Sequence, residues 1–157
     1  MAIISNRCTG SGYIHDKFKQ VNLDIEKTAL DALLKLTNGH PYYTQLLCRE
    51  LYFYALSQRK PIDVKAVKIA TNEAIGIEDM YFSTLWEDVG KNSAQVAVLK
   101  ALAENNESLF NKKMKIKINV TRTVNQLIKK GILKKNEKGQ YEFTDMLFKE
   151  YIKQRLF

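Results

Sequence analysis

With 157 residues, 45% of them hydrophobic, the chain can bury a core and has room for one medium domain or two small ones. Its two cysteines, Cys8 and Cys48, lack C-x-x-C spacing and are too few for a disulfide framework, which points to a reduced, cytoplasmic compartment. The net charge of +8 is uneven: residues 1–92 hold 11 Lys/Arg against 11 Asp/Glu, whereas residues 93–157 hold 14 against 6, so two domains are expected, the second with a surface for polyanions.

Residues 1–12, "MAIISNRCTGSG", read as a tail or linker, with no apolar core of signal-peptide length. No apolar run approaches the roughly 20 residues that span a bilayer, so no membrane partner is expected. The first helix expected runs through "LDIEKTALDALLKLTNG", with Asp24 as N-cap, Ile25, Leu30, Leu33 and Leu34 at helical spacing, and Gly39 as the left-handed stop. A second restarts at once with Pro41 in its first turn. It carries Tyr43, Leu46, Leu47, Leu51, Tyr54 and Ala55 on one face, with further apolar residues almost all round, and is therefore expected to lie centrally. "PIDVKAVKIATNEAIG" opens at Asp63 and closes near Gly76, with Val64, Val67, Ala70 and Ala74 inward; "EDMYFSTLWEDVG" is a fourth helix. Residues 13–92 thus read as an all-helical bundle.

The remainder, residues 93–157, changes character. "SAQVAVLKALAEN" is amphipathic and reads as capped by Ser93, and "NKKMKIKIN" is irregular and basic. "VTRTVNQLIKKG" has Val120, Val124, Leu127 and Ile128 on one face, and Gly131 ends it. "ILKKNEKGQYEF" alternates and turns at Asn136 to Gly139, a hairpin pattern, before a last helix from an Asp145 cap. Helix, connector, helix, hairpin and helix is the order of a winged helix-turn-helix with a small β-hairpin wing. The expected fold class is therefore mainly α, an all-helical bundle followed by that winged helix.

In such a domain the outward side chains of the recognition helix are Arg122, Thr123, Asn125, Gln126, Lys129 and Lys130, suited to phosphates and base edges. Lys112, Lys113, Lys115 and Lys117 precede that helix, and Lys134, Lys135 and Lys138 crowd the wing. The same lysines could equally form a solvated face or dock on an acidic protein surface. Nothing in the chain has a catalytic pattern. His15, His40, Cys8 and Cys48 are too irregular for zinc, and Glu87 and Asp88 are adjacent, so they diverge by about 100° on a helix. No G-x-x-x-x-G-K-[ST] loop occurs. The corner Gly39-His40-Pro41 reads first as helix punctuation, with the alternative that it turns the next helix's N-terminus toward a ligand.

The runs "YIHDKFKQVNLDIEKTALDALLKLTNGHPYYTQLLCREL", "YFSTLWEDV…AQVAVLKALAE" and "VTRTVNQLIKKGIL…YEFTDMLFKEYI" resemble the C-terminal half of the archaeal-type P-loop ATPases. These belong to the STAND class of the AAA+ superfamily. "NGHPYYTQLL" is the strongest match, and Met146 departs from the proline that often follows the aspartate of "FTDMLF". The resemblance implies a helical AAA+ lid followed by a winged helix, without the N-terminal domain that carries Walker A and Walker B. It implies that Gly39 and Pro41 lie near a nucleotide, with His40 and Tyr42 flanking them. ATP or ADP with Mg would then belong to the intact family, and no cofactor to this chain. The expectation is a non-catalytic regulatory and interaction module, in which nucleotide state moves the lid and the basic winged helix docks on a partner or on DNA. Its first partner would be the missing P-loop domain. The alternative is a winged-helix DNA-binding transcriptional regulator.

Overall fold

A computed structural model describes residues 10–105 and 119–156. It is mainly helical with one two-stranded antiparallel sheet, and the chain divides into two compact units between Glu78 and Asp79.

The first unit holds α1 (Ser11–Gln20), α2 (Lys27–Thr37), α3 (Pro41–Gln58) and α4 (Val64–Ile77). Helix α1 takes in Ser11 and Gly12, assigned above to the tail, because Ile14 and Phe18 form a one-turn apolar pair that is buried. It ends in a Schellman motif. Asn22 is left-handed, and Leu23 N and Asn22 N donate to the carbonyls of Phe18 and Lys19 at 3.0 and 3.1 Å. Asp24 does not cap α2, which begins three residues later behind Glu26. Asp24 and Ile25 are drawn instead into a parallel bridge with Ile62. Ile62 N donates to the Asp24 carbonyl at 2.8 Å, and Glu26 N to the Ile62 carbonyl at 3.0 Å. That bridge clips the α1–α2 connection to the α3–α4 connection.

Helices α2, α3 and α4 pack on one another around Leu33, Leu47, Leu51, Ile62, Ala66 and Val67, all at most 2% exposed. Helix α3 buries Tyr43, Leu46, Leu47, Leu51 and Ala55 but is not enclosed all round: Tyr42, Phe53 and Leu56 are each more than half exposed. Asp63 caps α4 as expected, its carboxylate accepting from Ala66 N at 2.8 Å. Val64 in the first turn points outward, and Gly76 lies inside the helix.

The second unit holds α5 (Asp79–Gly90), α6 (Ser93–Asn105), α7 (Val120–Lys129), β1 (Leu133–Lys135), β2 (Tyr141–Phe143) and α8 (Met146–Leu156). Helix α5, grouped by its sequence with the preceding helices, packs on α6 and α8. The reason is aromatic: Phe82, fully buried, lies 5.6 Å from the Phe148 ring and 5.4 Å from that of Tyr151. The cap of α6 is Asn92, not Ser93, since the Asn92 side-chain Oδ1 accepts from Ala94 N at 3.0 Å and Gln95 N at 3.3 Å. Asp145 caps α8 through Leu147 N and Phe148 N. The hairpin pairs Leu133 with Phe143, Lys134 with Glu142 and Lys135 with Tyr141. Its turn is organised by Asn136, whose side chain accepts from Lys138 N and Gln140 N. Among the described residues no helix is long and apolar enough to cross a membrane.

Candidate nucleic-acid interface

Helix α7 is fixed at both ends by local chemistry. At its start the Asn119 side chain accepts from Arg122 N at 3.0 Å. At its end Gly131, with φ +72°, completes a Schellman motif: Gly131 N and Ile132 N donate to the carbonyls of Ile128 and Leu127 at 2.9 and 3.0 Å. Val124, Leu127 and, contrary to the outward placement above, Thr123 face the core. Thr123 is 6% exposed, and its hydroxyl donates to the Asn119 carbonyl at 3.0 Å. One turn back toward its cap, a short hydroxyl satisfies itself on the backbone and needs no solvent.

The remaining candidates on α7 separate into two sets. Gln126 and Lys130 are engaged within the unit. Gln95 of α6, 4% exposed, donates through Nε2 to Gln126 Oε1 at 3.2 Å and accepts from Lys130 Nζ at 3.2 Å. The same ammonium pairs with Asp88 of α5 at 2.7 Å. That hydrogen bond and the Lys130 charge hold the Asp88 carboxyl below its ordinary range. The Asp88–Lys130 contribution is therefore full above the ordinary carboxylate range and fades as pH falls through the lowered value. Lys130 is thus a positioning residue for α7, and its charge is already balanced. Arg122, Asn125 and Lys129 form the other set, exposed at i, i+3 and i+7 along one stripe.

On the hairpin, Lys134 pairs with Glu142 directly across the strands at 3.1 Å. Lys135 and Lys138 are exposed, and neither makes an ion pair among the described residues. Lys112, Lys113, Lys115 and Lys117 lie outside the described residues. Sequence reasoning weighed Asp88 only beside Glu87 and gave Gln95 no role; they stand more than 30 residues from Gln126 and Lys130, and no local pattern links them.

The corner in the first unit is sharper than one glycine would make it. Asn38 (φ +48°) and Gly39 (φ +71°) are both left-handed, and His40 then caps α3 from an extended conformation without a side-chain bond. The His40 carbonyl accepts from both Thr44 N and Thr44 Oγ1 at 2.9 Å. Residues 38 to 42 are exposed, with the His40 ring 4.7 Å from that of Tyr43. The Tyr42 hydroxyl donates to Glu78 at the end of α4. The structure therefore gathers Gly39, His40, Pro41 and Tyr42 at one exposed turn. Among the described residues there is no group of three or more His, Cys, Asp or Glu able to hold a metal ion. Compared with protein-family models, with curated proteins and with solved structures, the chain finds no match in any of the three.

Proposed function

We propose that the chain is a non-catalytic regulatory and interaction module whose second unit acts as a winged helix-turn-helix, with α7 as recognition helix and β1–β2 as wing. The observation that carries this reading is the sorting of cations: Lys130 and Lys134 are neutralised inside the unit, whereas Arg122, Lys129, Lys135 and Lys138 are exposed on the helix and wing and make no ion pair among the described residues. Cations with no internal acid are available to displace counterions from a polyanion, and Asn125 within their stripe has the donor and acceptor pattern suited to a base edge. Duplex DNA is the polyanion that a helix flanked by a basic hairpin fits best.

The resemblance to the STAND ATPases supports reading the first unit as a nucleotide-sensing lid. The residues present fit only part of such a site. Gly39, His40, Pro41 and Tyr42 offer an exposed turn and aromatic edges, while the sequence has no phosphate loop and the described residues no group of three or more His, Cys, Asp or Glu for a metal ion. Turnover of ATP and tight nucleotide binding are accordingly not expected of this chain alone.

The test is fluorescence anisotropy with a labelled duplex at rising salt. With four free cations the log–log slope should be roughly −3 to −4, at about −0.9 per phosphate contacted. Arg122→Ala with Lys129→Ala should remove most of the affinity, and Lys134→Ala should change it little. Affinity untouched by the double substitution, or equally sensitive to Lys134→Ala, refutes the assignment.

A further inference from the structure

Between α1 and α3 the first unit leaves an open groove of about 360 Å³, within the range of small-molecule sites. Its walls are hydrocarbon and ring: Tyr13, Ile14 and Phe18 from α1, Val21 just after it, and Tyr52 from α3. Tyr13 and Val21 remain 43% and 47% exposed there, apolar area that the fold does not cover. The groove is poor in solvating power as well, since burial pushes the Cys48 thiol in its wall up to about 11.

The charge of the lining is one-sided. Two of the lining residues are cations, Lys17 and Arg49, and none is acidic. Arg49 is compensated, its Nε lying 2.9 Å from Glu50. Lys17 has no carboxylate partner among the described residues; its ammonium donates to neutral Gln20 at 3.2 Å and sits 5.5 Å from the centre of the Tyr13 ring. The aromatic face holds that charge at the groove without neutralising it. One uncompensated cation beside an apolar cleft matches a single negative charge on an apolar body, and a phosphate dianion would be left in excess.

We propose that the groove between α1 and α3 binds a small amphiphile with one carboxylate, of the medium-chain fatty-acid type, its tail along Ile14, Phe18 and Tyr52 and its head at Lys17. Cys48 is a built-in reporter, because a tail in the groove covers the thiol. The probe is decanoate, kept below micelle formation, added to the full chain carrying Cys8→Ser so that Cys48 is its one thiol. Alkylation of Cys48 by iodoacetamide is followed at constant pH. Decanoate should slow it several-fold, and at concentrations about tenfold lower than decylamine, which has a similar tail and the opposite charge. Lys17→Glu, at an exposed position on α1, should abolish that preference. No protection by decanoate, or equal protection by decylamine, overturns the proposal. So does alkylation that is slow from the outset, insensitive to decanoate and accelerated by deleting residues 2–7, because the chain's own leading segment would then be the occupant.

Discussion

Tyr42 stands 51% exposed at the entrance of α3, yet its hydroxyl reaches Glu78, the residue that ends α4. A carboxylate at a helix C-terminus faces the negative end of the helix dipole, and a phenol donor offsets that repulsion. The hydrogen bond to Glu78 raises the Tyr42 pKa above its ordinary value, with burial and the Glu78 charge adding to it. A raised pKa means that the protonated phenol is the form favoured by folding. Its contribution is therefore full below about pH 10 and is lost as pH rises through the raised value. An ultraviolet titration should show two tyrosines ionising late, Tyr42 and Tyr151, the latter raised by burial. Tyr42→Phe should leave one of them, and two late tyrosines surviving the substitution would assign the shift elsewhere. His40 and Pro41 were legible as residues of a helix–helix corner from sequence alone, because Gly39 permits a left-handed backbone and Pro41 fixes the next entry locally. The Glu78 partner was not, being 36 residues away.

Helix boundaries follow from interactions spanning four residues or fewer, and most of those were readable. Asp63, Asp145 and Gly131 act where their residue types lead one to look. Where expectation failed, a competing local or distant bond won: Asn92 displaces Ser93 as the cap of α6, and the bridge to Ile62 takes Asp24 away from α2. Two substitutions test these ends. Gly39→Ala meets no atom within 4 Å of the added methyl, so its cost is conformational and should be about 1–2 kcal/mol in chemical denaturation. Asn119→Ala removes the acceptor for Arg122 N and should cost about 1 kcal/mol. Because Arg122 lies in that first turn, the same change should also weaken duplex binding. Unaltered affinity beside the expected stability loss would separate the helix start from the docking stripe.

At the scale of the whole molecule, the alternation of apolar and polar residues specified a mainly helical chain with a single hairpin, and the buried positions of α2, α3, α4 and α7 largely coincide with the apolar faces expected of them. Leu47, fully buried among α2, α3 and α4, should on replacement by alanine lose about 2–5 kcal/mol, read from the denaturant midpoint; a loss under 1 kcal/mol would mean that the core relaxes around it. Periodicity and punctuation, which depend on neighbours within a turn, thus determined the order of the elements from α2 to α8, the sharp corner at Asn38 to Pro41 and the hairpin turn, and composition the basic bias of the second half. Helix α1, with only Ile14 and Phe18 as its buried apolar pair, was not foreseen. Tertiary structure decided what depends on residues far apart in the chain. Phe82 packs with Phe148 and Tyr151, which assigns α5 to the second unit. The buried amide of Gln95 and the carboxylate of Asp88 claim Lys130, while Glu142 claims Lys134. A lysine's charge is written in the sequence, but whether an acid already neutralises it depends on which side chains folding brings within about 4 Å.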